Sequence, residues 1–225
     1  MSFLTDTFTD VSGTVLSSHT PDLGGGAWAA HAAAPSNLQI SNANRCRANG
    51  TTNCIWYNPT APSTPNYSVE ADLVFIGAGP VQVYGVMGRI DSAATTFYYF
   101  HYNGSTGDWE LYKTVASVDT LLGSFSDVGN ANNDKHAKLI MDGSNISGAV
   151  GGVVVVGPIV DTDITAAGYA GLISLTSSGT VDDTHGSHFD NFDAVALAGR
   201  AAYPSGNLAS KRRAGFAVSS PGGFF

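Results

Sequence analysis

An all-β fold, a two-sheet antiparallel sandwich with an extended C-terminal arm, is what this sequence predicts, and three observations predict it. Apolar residues come in short runs with a period of two, and Gly, Asn, Ser, Thr and Asp fill the intervals. Glycine alone accounts for 27 residues, the turn chemistry that many short strands demand. The chain has 225 residues, 43% of them apolar and only 12% charged. That is enough for one sandwich of the ~200–250 residues such domains reach as a single unit.

Along the chain, residues 3–9 open the series, and a polar loop holding Gly24, Gly25 and Gly26 leads to a segment around Trp28. Residues 37–40 and 45–49 are short candidates. Stronger alternation marks 67–77, 81–90, 96–102, 109–115, 121–125, 136–142, 145–150, 153–156, 171–176 and 188–197. Intervals of this length fit a sandwich or barrel and not βαβ units. Asn103-Gly104-Ser105-Thr106-Gly107-Asp108 and Asp142-Gly143-Ser144 read as hairpin turns, which makes the strands they join antiparallel. No period of 20–50 residues recurs, so a solenoid or propeller is not expected. The division expected is a sandwich over residues 1–199 and a basic arm over 200–225.

Charge is spread unevenly. Residues 200–225 hold Arg200, Lys211, Arg212 and Arg213 and no acid, a charge of +4, so the remainder, with 18 acids against 6 bases, stands at −12. An acidic body argues against nucleic acid as the ligand of the sandwich. The basic arm suits an acidic or phosphate-rich partner surface, or serves only to keep an apolar tail solvated. Tyr203, Phe216, Phe224 and Phe225 in that arm are anchors another subunit could accept, with Lys211, Arg212 and Arg213 beside them.

The opening Met1-Ser2-Phe3-Leu4-Thr5-Asp6 lacks the basic and apolar regions of a secretory signal. No run approaches the ~20 apolar residues of a membrane span. The expected location is a virion or the extracellular space, reached without that signal. Cys46 and Cys54 flank an Asn49-Gly50 turn that can bring them within reach of each other. A disulfide is favoured over two thiols, and an oxidising final environment would follow from it.

Five segments carry a family resemblance: Phe97-Tyr98-Tyr99-Phe100-His101-Tyr102-Asn103, Gly107-Asp108-Trp109-Glu110-Leu111-Tyr112-Lys113, His136 to Gly143, Gly168-Tyr169-Ala170-Gly171-Leu172-Ile173 and His188-Phe189-Asp190-Asn191-Phe192-Asp193. In order and texture, over roughly residues 3–197, they resemble the strands of the concanavalin A-like lectin and glucanase (laminin G-like) jelly rolls. The resemblance implies that the first and last strands pair, which would set Asp6 near Asp190 and Asp193. Carboxylates so placed would suit a structural Ca²⁺, while the plainer alternative has them capping turns or facing water.

The resemblance also implies a test for hydrolysis, since the glucanases place their acids in a Glu-x-Asp-x-Glu-like pattern on one strand. Glu70-Ala71-Asp72 matches the first two positions, but Val74 stands where the third acid belongs, and Glu110 is the only other glutamate. Gly143-Ser144-Asn145 is no nucleophile elbow, and Gly77-Ala78-Gly79-Pro80 precedes a strand rather than a helix and so cradles no phosphate. His185 and His188, with Asp182 and Asp183, sit in a loop where a polar turn is the commoner reading than a metal site. Catalytic residues are therefore not assigned.

A binding surface remains. On the aromatic strand, Tyr99 and His101 share a face with Phe97, and Glu110 and Tyr112 lie on the next strand. Aromatic rings beside a carboxylate suit the apolar and hydroxyl sides of a saccharide, although packing alone can also place such residues in a strand. The expectation is a non-enzymatic structural protein of a viral (phage) or extracellular assembly, decorating a capsid or associated with a tail. Its partners would be other subunits of its own kind or of the capsid. The alternative is a carbohydrate-binding module or lectin that meets a cell-surface glycan, and a glycoside hydrolase or polysaccharide lyase ranks behind both.

Overall fold

The computed structural model describes residues 1–50, 53–77, 82–128, 133–176 and 179–198. Tyr203, Lys211, Arg212, Arg213, Phe216, Phe224 and Phe225, expected to form a partner-binding arm, lie outside the described residues.

Two antiparallel sheets face each other. Sheet A holds, in spatial order, β13 (Val153–Val160), β12 (Asn145–Val150), β11 (Lys135–Asp142), β6 (Tyr67–Ile76), β15 (Gly186–Ala196), β4 (Cys46–Ala48) and β3 (Leu38–Ile40), with β1 (Ser2–Asp6) also paired to β15. Sheet B runs β10 (Val118–Ser126), β9 (Asp108–Val115), β8 (Phe97–Asn103), β7 (Gln82–Ile90), β14 (Tyr169–Thr176), β5 (Asn53–Asn58) and β2 (Ala29–Pro35). A short 3₁₀ turn, Leu16–Ser18, is the only helix among the described residues. The two expected hairpins join β8 to β9 and β11 to β12, and the first and last strands pair as the resemblance implied.

Period-two patterning explains the layers. On β11 every other residue is buried, so Ala137, Leu139 and Met141 enter the core while His136 and Lys138 face outward. From sheet B, Tyr98, Phe100, Tyr102, Trp109 and Leu111 meet Val69, Leu73, Phe189 and Phe192 of sheet A. Phe100 stacks on Trp109 with centroids 5.0 Å apart. Its ring lies so close over Gly148 that a Cβ there would fall 2.2 Å from it, so the position admits only glycine. Arg89 is buried too, and its guanidinium donates to the carbonyls of Pro65 (3.0 Å), Ile164 (2.6 Å) and Gly143 (2.7 Å), tying three connections to one residue.

Two expectations change here. Asn53–Asn58 is a full strand, β5, whereas the sequence suggested only a loop closing on Cys54. Cys46 and Cys54 are buried thiols rather than a disulfide. The Asn49-Gly50 turn does not pair their strands as a hairpin, since β4 belongs to sheet A and β5 to sheet B. Burial pushes the Cys46 thiol well above its usual pKa, and the Cys54 thiol donates to the Asn37 carbonyl at 3.7 Å.

Candidate functional site

The outer face of sheet B is aromatic, which is unusual for a surface that no second layer covers among the described residues. Register explains how its residues meet. Tyr99 on β8 lies opposite Tyr112 on β9, and His101 lies opposite Glu110. Tyr99 and Tyr112 stack at 5.1 Å with planes 9° apart, and His101 stacks on both, at 5.3 Å from Tyr99 and 5.6 Å from Tyr112. His101 Nε2 stands 2.9 Å from Glu110 Oε2, and Asn103 donates to the same oxygen at 3.3 Å. That bond to His101 holds the Glu110 carboxyl below its usual pKa. Asp119 on β10 accepts from Thr114 at 2.6 Å and hydrogen-bonds Tyr99, whose hydroxyl burial drives strongly upward in pKa.

All four residues nominated for saccharide contact are thus brought together, but they do not serve alike. Tyr99 is 7% exposed and His101 3%, and the rings turn their faces to one another. Tyr112 and Glu110 are half-buried and reach solvent, so Tyr99 and His101 are supports and Tyr112 and Glu110 the open end.

The other half of this face is closed in. On a flat sheet β2 would stand four spacings of ~4.8 Å from β8, about 19 Å away. Instead His31 of β2 meets the Phe97 ring edge-on at 6.3 Å, and its Nε2 bonds the Ala94 carbonyl. The sheet therefore curls, and Met87, Ile90, Ala94, Phe97 and Ile173 are each no more than 5% exposed. This half was not legible in the sequence, because contact between distant strands leaves no local pattern. A cleft of about 420 Å³ beside it, lined by Arg89, Asp91, Thr96, Asp163 and Tyr169, was likewise unforeseen. Its charged groups are already engaged: Asp91 accepts from the Thr95 and Thr96 amides, and Asp163 pairs with Lys113 at 2.5 Å.

Sheet A presents a different outer face. Glu70 and Asp72 do lie side by side on it, but His136 stands 2.7 Å from Asp72 and 3.6 Å from Glu70, Lys138 pairs with Glu70 at 2.6 Å, and Asn191 donates to Asp72 at 2.8 Å. His136 and Lys138 hold Glu70 down to about 2, and Glu70 with Asp72 lifts His136 to about 9.

The three residues nominated for Ca²⁺ part company. Asp6 is buried, held by His19 Nε2 at 2.8 Å, the Trp28 indole N–H at 2.9 Å and the Phe8 amide at 2.7 Å. Asp190 faces Arg45 at 3.6 Å, and Asp193 accepts from Ser2 at 3.1 Å. Asp6 pairs with Phe192, which points into the core, while its neighbour Asp193 points the other way, so one ion cannot take all three. Among the described residues no group of three or more metal-capable side chains gathers. The loop candidates also disperse: His185 leans on Asp182 at 3.1 Å, His188 on the Asp182 carbonyl at 2.8 Å, and Asp183 on Arg47 at 2.7 Å.

No protein-family model and no curated protein matches the chain. Its backbone is similar to solved structures. Carbohydrate binding module CBM66 from Bacillus subtilis superposes with a TM-score of 0.59 at 13% identity, over 75% of this chain and 95% of that one. The β-glucanase of Bacillus licheniformis gives 0.56 at 9%, over 88% and 99%. The binding domain of botulinum neurotoxin serotype D gives 0.53 at 10%, over 87% of this chain and 48% of that one. The fold is a concanavalin-like jelly roll. At such identities the likeness establishes that fold and leaves function to the site.

Proposed function

We propose that the chain is a non-catalytic carbohydrate-binding module whose binding face is the open end of sheet B's outer surface, with Tyr112 as the ring that meets a sugar and Glu110 as the acceptor of its hydroxyls. One observation carries the reading: Glu110 is fixed beside Tyr112 by His101 and Asn103, so a carboxylate is already oriented next to an aromatic ring before any ligand arrives. Preorganisation of this kind reduces what binding must spend on ordering side chains. The likeness to a carbohydrate binding module over nearly its whole length supports the reading.

Hydrolysis has less support, because Glu70 and Asp72 are engaged by His136, Lys138 and Asn191, and Val74 completes their row. The role in a viral or extracellular assembly rests on the arm, which lies outside the described residues, so the described site favours glycan recognition. The reading is tested with a glycan array followed by calorimetry on whichever neutral oligosaccharide binds. Tyr112→Ala and Glu110→Gln are each expected to weaken affinity by about tenfold or more, the range of a contact worth ~1.4 kcal/mol or above. Circular dichroism should show the fold unchanged. An array on which no glycan binds overturns the proposal.

A further inference from the structure

The carboxylates of this face meet no Lys or Arg on the strands that carry them. Asp108, Glu110 and Tyr112 alternate along β9 and so share its outer side, and Asp119 of β10 lies opposite Thr114 on the same side. Opposite Glu110 and Asp108 on β10 stand Ser124 and Ser126. Neither Lys nor Arg occupies an outward position on β8, β9 or β10: Lys113 alternates to the other side, where it pairs with Asp161 and Asp163. The guanidinium of Arg89, on the neighbouring strand β7, spends its donors on the three carbonyls.

His101 supplies an independent sign. It is 97% buried, and with Nε2 committed to Glu110 its Nδ1 is also buried and has no hydrogen-bond partner. If Nε2–H donates to the carboxylate, Nδ1 carries a lone pair, an acceptor lacking a donor. A buried polar atom left so is costly, and a donor brought to it relieves that cost.

From the purely anionic charge of this face we infer a ligand class: saccharides that are neutral or carry amino groups, with uronates, sulfated sugars and other anionic glycans turned away. The inference rests on the carbohydrate-binding reading and sharpens it. Hydroxyls and ammonium groups bring hydrogens to the carboxylate lone pairs of Glu110 and Asp119 that remain beside their internal bonds. A sugar carboxylate or sulfate would bring a like charge against Asp108, Glu110 and Asp119, and among the described residues no Lys or Arg of β8, β9 or β10 faces outward to receive it.

The test is calorimetry with three oligosaccharides of equal length: one of glucose, one of glucosamine and one of galacturonate. The expected order is glucosamine equal to or tighter than glucose, with galacturonate weaker than either by about tenfold or more, since like charges brought together cost at least that much. Glu110→Gln should reduce any preference for glucosamine over glucose toward equality, and Asp119→Asn serves as a second variant should Glu110→Gln unfold. Galacturonate binding as tightly as glucose overturns the inference while the carbohydrate-binding reading stands. Failure of all three, repeated on neutral mannan, xylan and fructan oligomers, overturns the reading itself.

Discussion

Asp6 lies in the core because three donors meet its carboxylate, and a buried charge needs such company. Burial raises its pKa despite those bonds. Asp6→Ala would strand the Trp28 indole and one nitrogen of His19, so a loss of about 2–4 kcal/mol is expected from urea denaturation; a change below about 0.5 kcal/mol would contradict the role assigned to it. Its partners His19 and Trp28 were not foreseeable, since they sit 13 and 22 residues away with no motif linking them. Tyr99, His101, Glu110 and Tyr112 were legible as a group, because strand alternation and one hairpin turn suffice to place them on one face. Their division into supports and open end was not, because exposure depends on how the whole sheet curls.

At the scale of elements, β6 and β11 are joined on their outer side by charge. His136 is held up at about 9, above an unfolded value of 6.5, so what its pairing contributes is complete below about pH 6.5 and is lost as pH climbs through 9. Glu70 is held down at about 2, below an unfolded value of 4.5, so its contribution is complete above about 4.5 and is lost as pH falls toward 2. Urea midpoints measured across pH should therefore decline on the alkaline side in the parent and less steeply in His136→Gln. Identical alkaline limbs would show that the seam contributes nothing.

The edge strands β10 and β13 carry Val118, Leu121, Val153, Val154 and Val160 in exposed positions, with one acid, Asp119, between the two strands. Bare apolar edges invite pairing between chains. Leu121→Lys and Val154→Lys are each expected to raise the concentration at which light scattering detects association, and no change in either would contradict this. Most strands were readable from alternation. β5 was not, because Cys54, the second residue of its Asn53-Cys54-Ile55-Trp56-Tyr57-Asn58 run, looked like the end of a closed loop. β13 continues through Gly157 and Pro158, which read from sequence as its stop.

For the whole molecule, the two sheets divide the work. Their inner faces make one core, sheet A's outer face is a mesh of paired charges, and sheet B's outer face is aromatic and acceptor-rich. The sandwich was legible because its core follows a period of two, and its chemistry was less so because function sits in contacts between strands rather than along them. Stability arises from that core without a cross-link, so Ellman's reagent should find both cysteines in denaturant under non-reducing conditions and neither in the native protein; a denatured chain with no reactive thiol would mean that the two are bridged.

The most direct test of the central claim is an NMR titration of the ¹⁵N-labelled full chain with a neutral oligosaccharide found by array. Shift changes are expected to gather on residues 99–103, 108–114 and 119–126, with outer positions of β6 and β11 unmoved. Changes gathered instead around Glu70, Asp72 and His136 would contradict it and turn attention to sheet A.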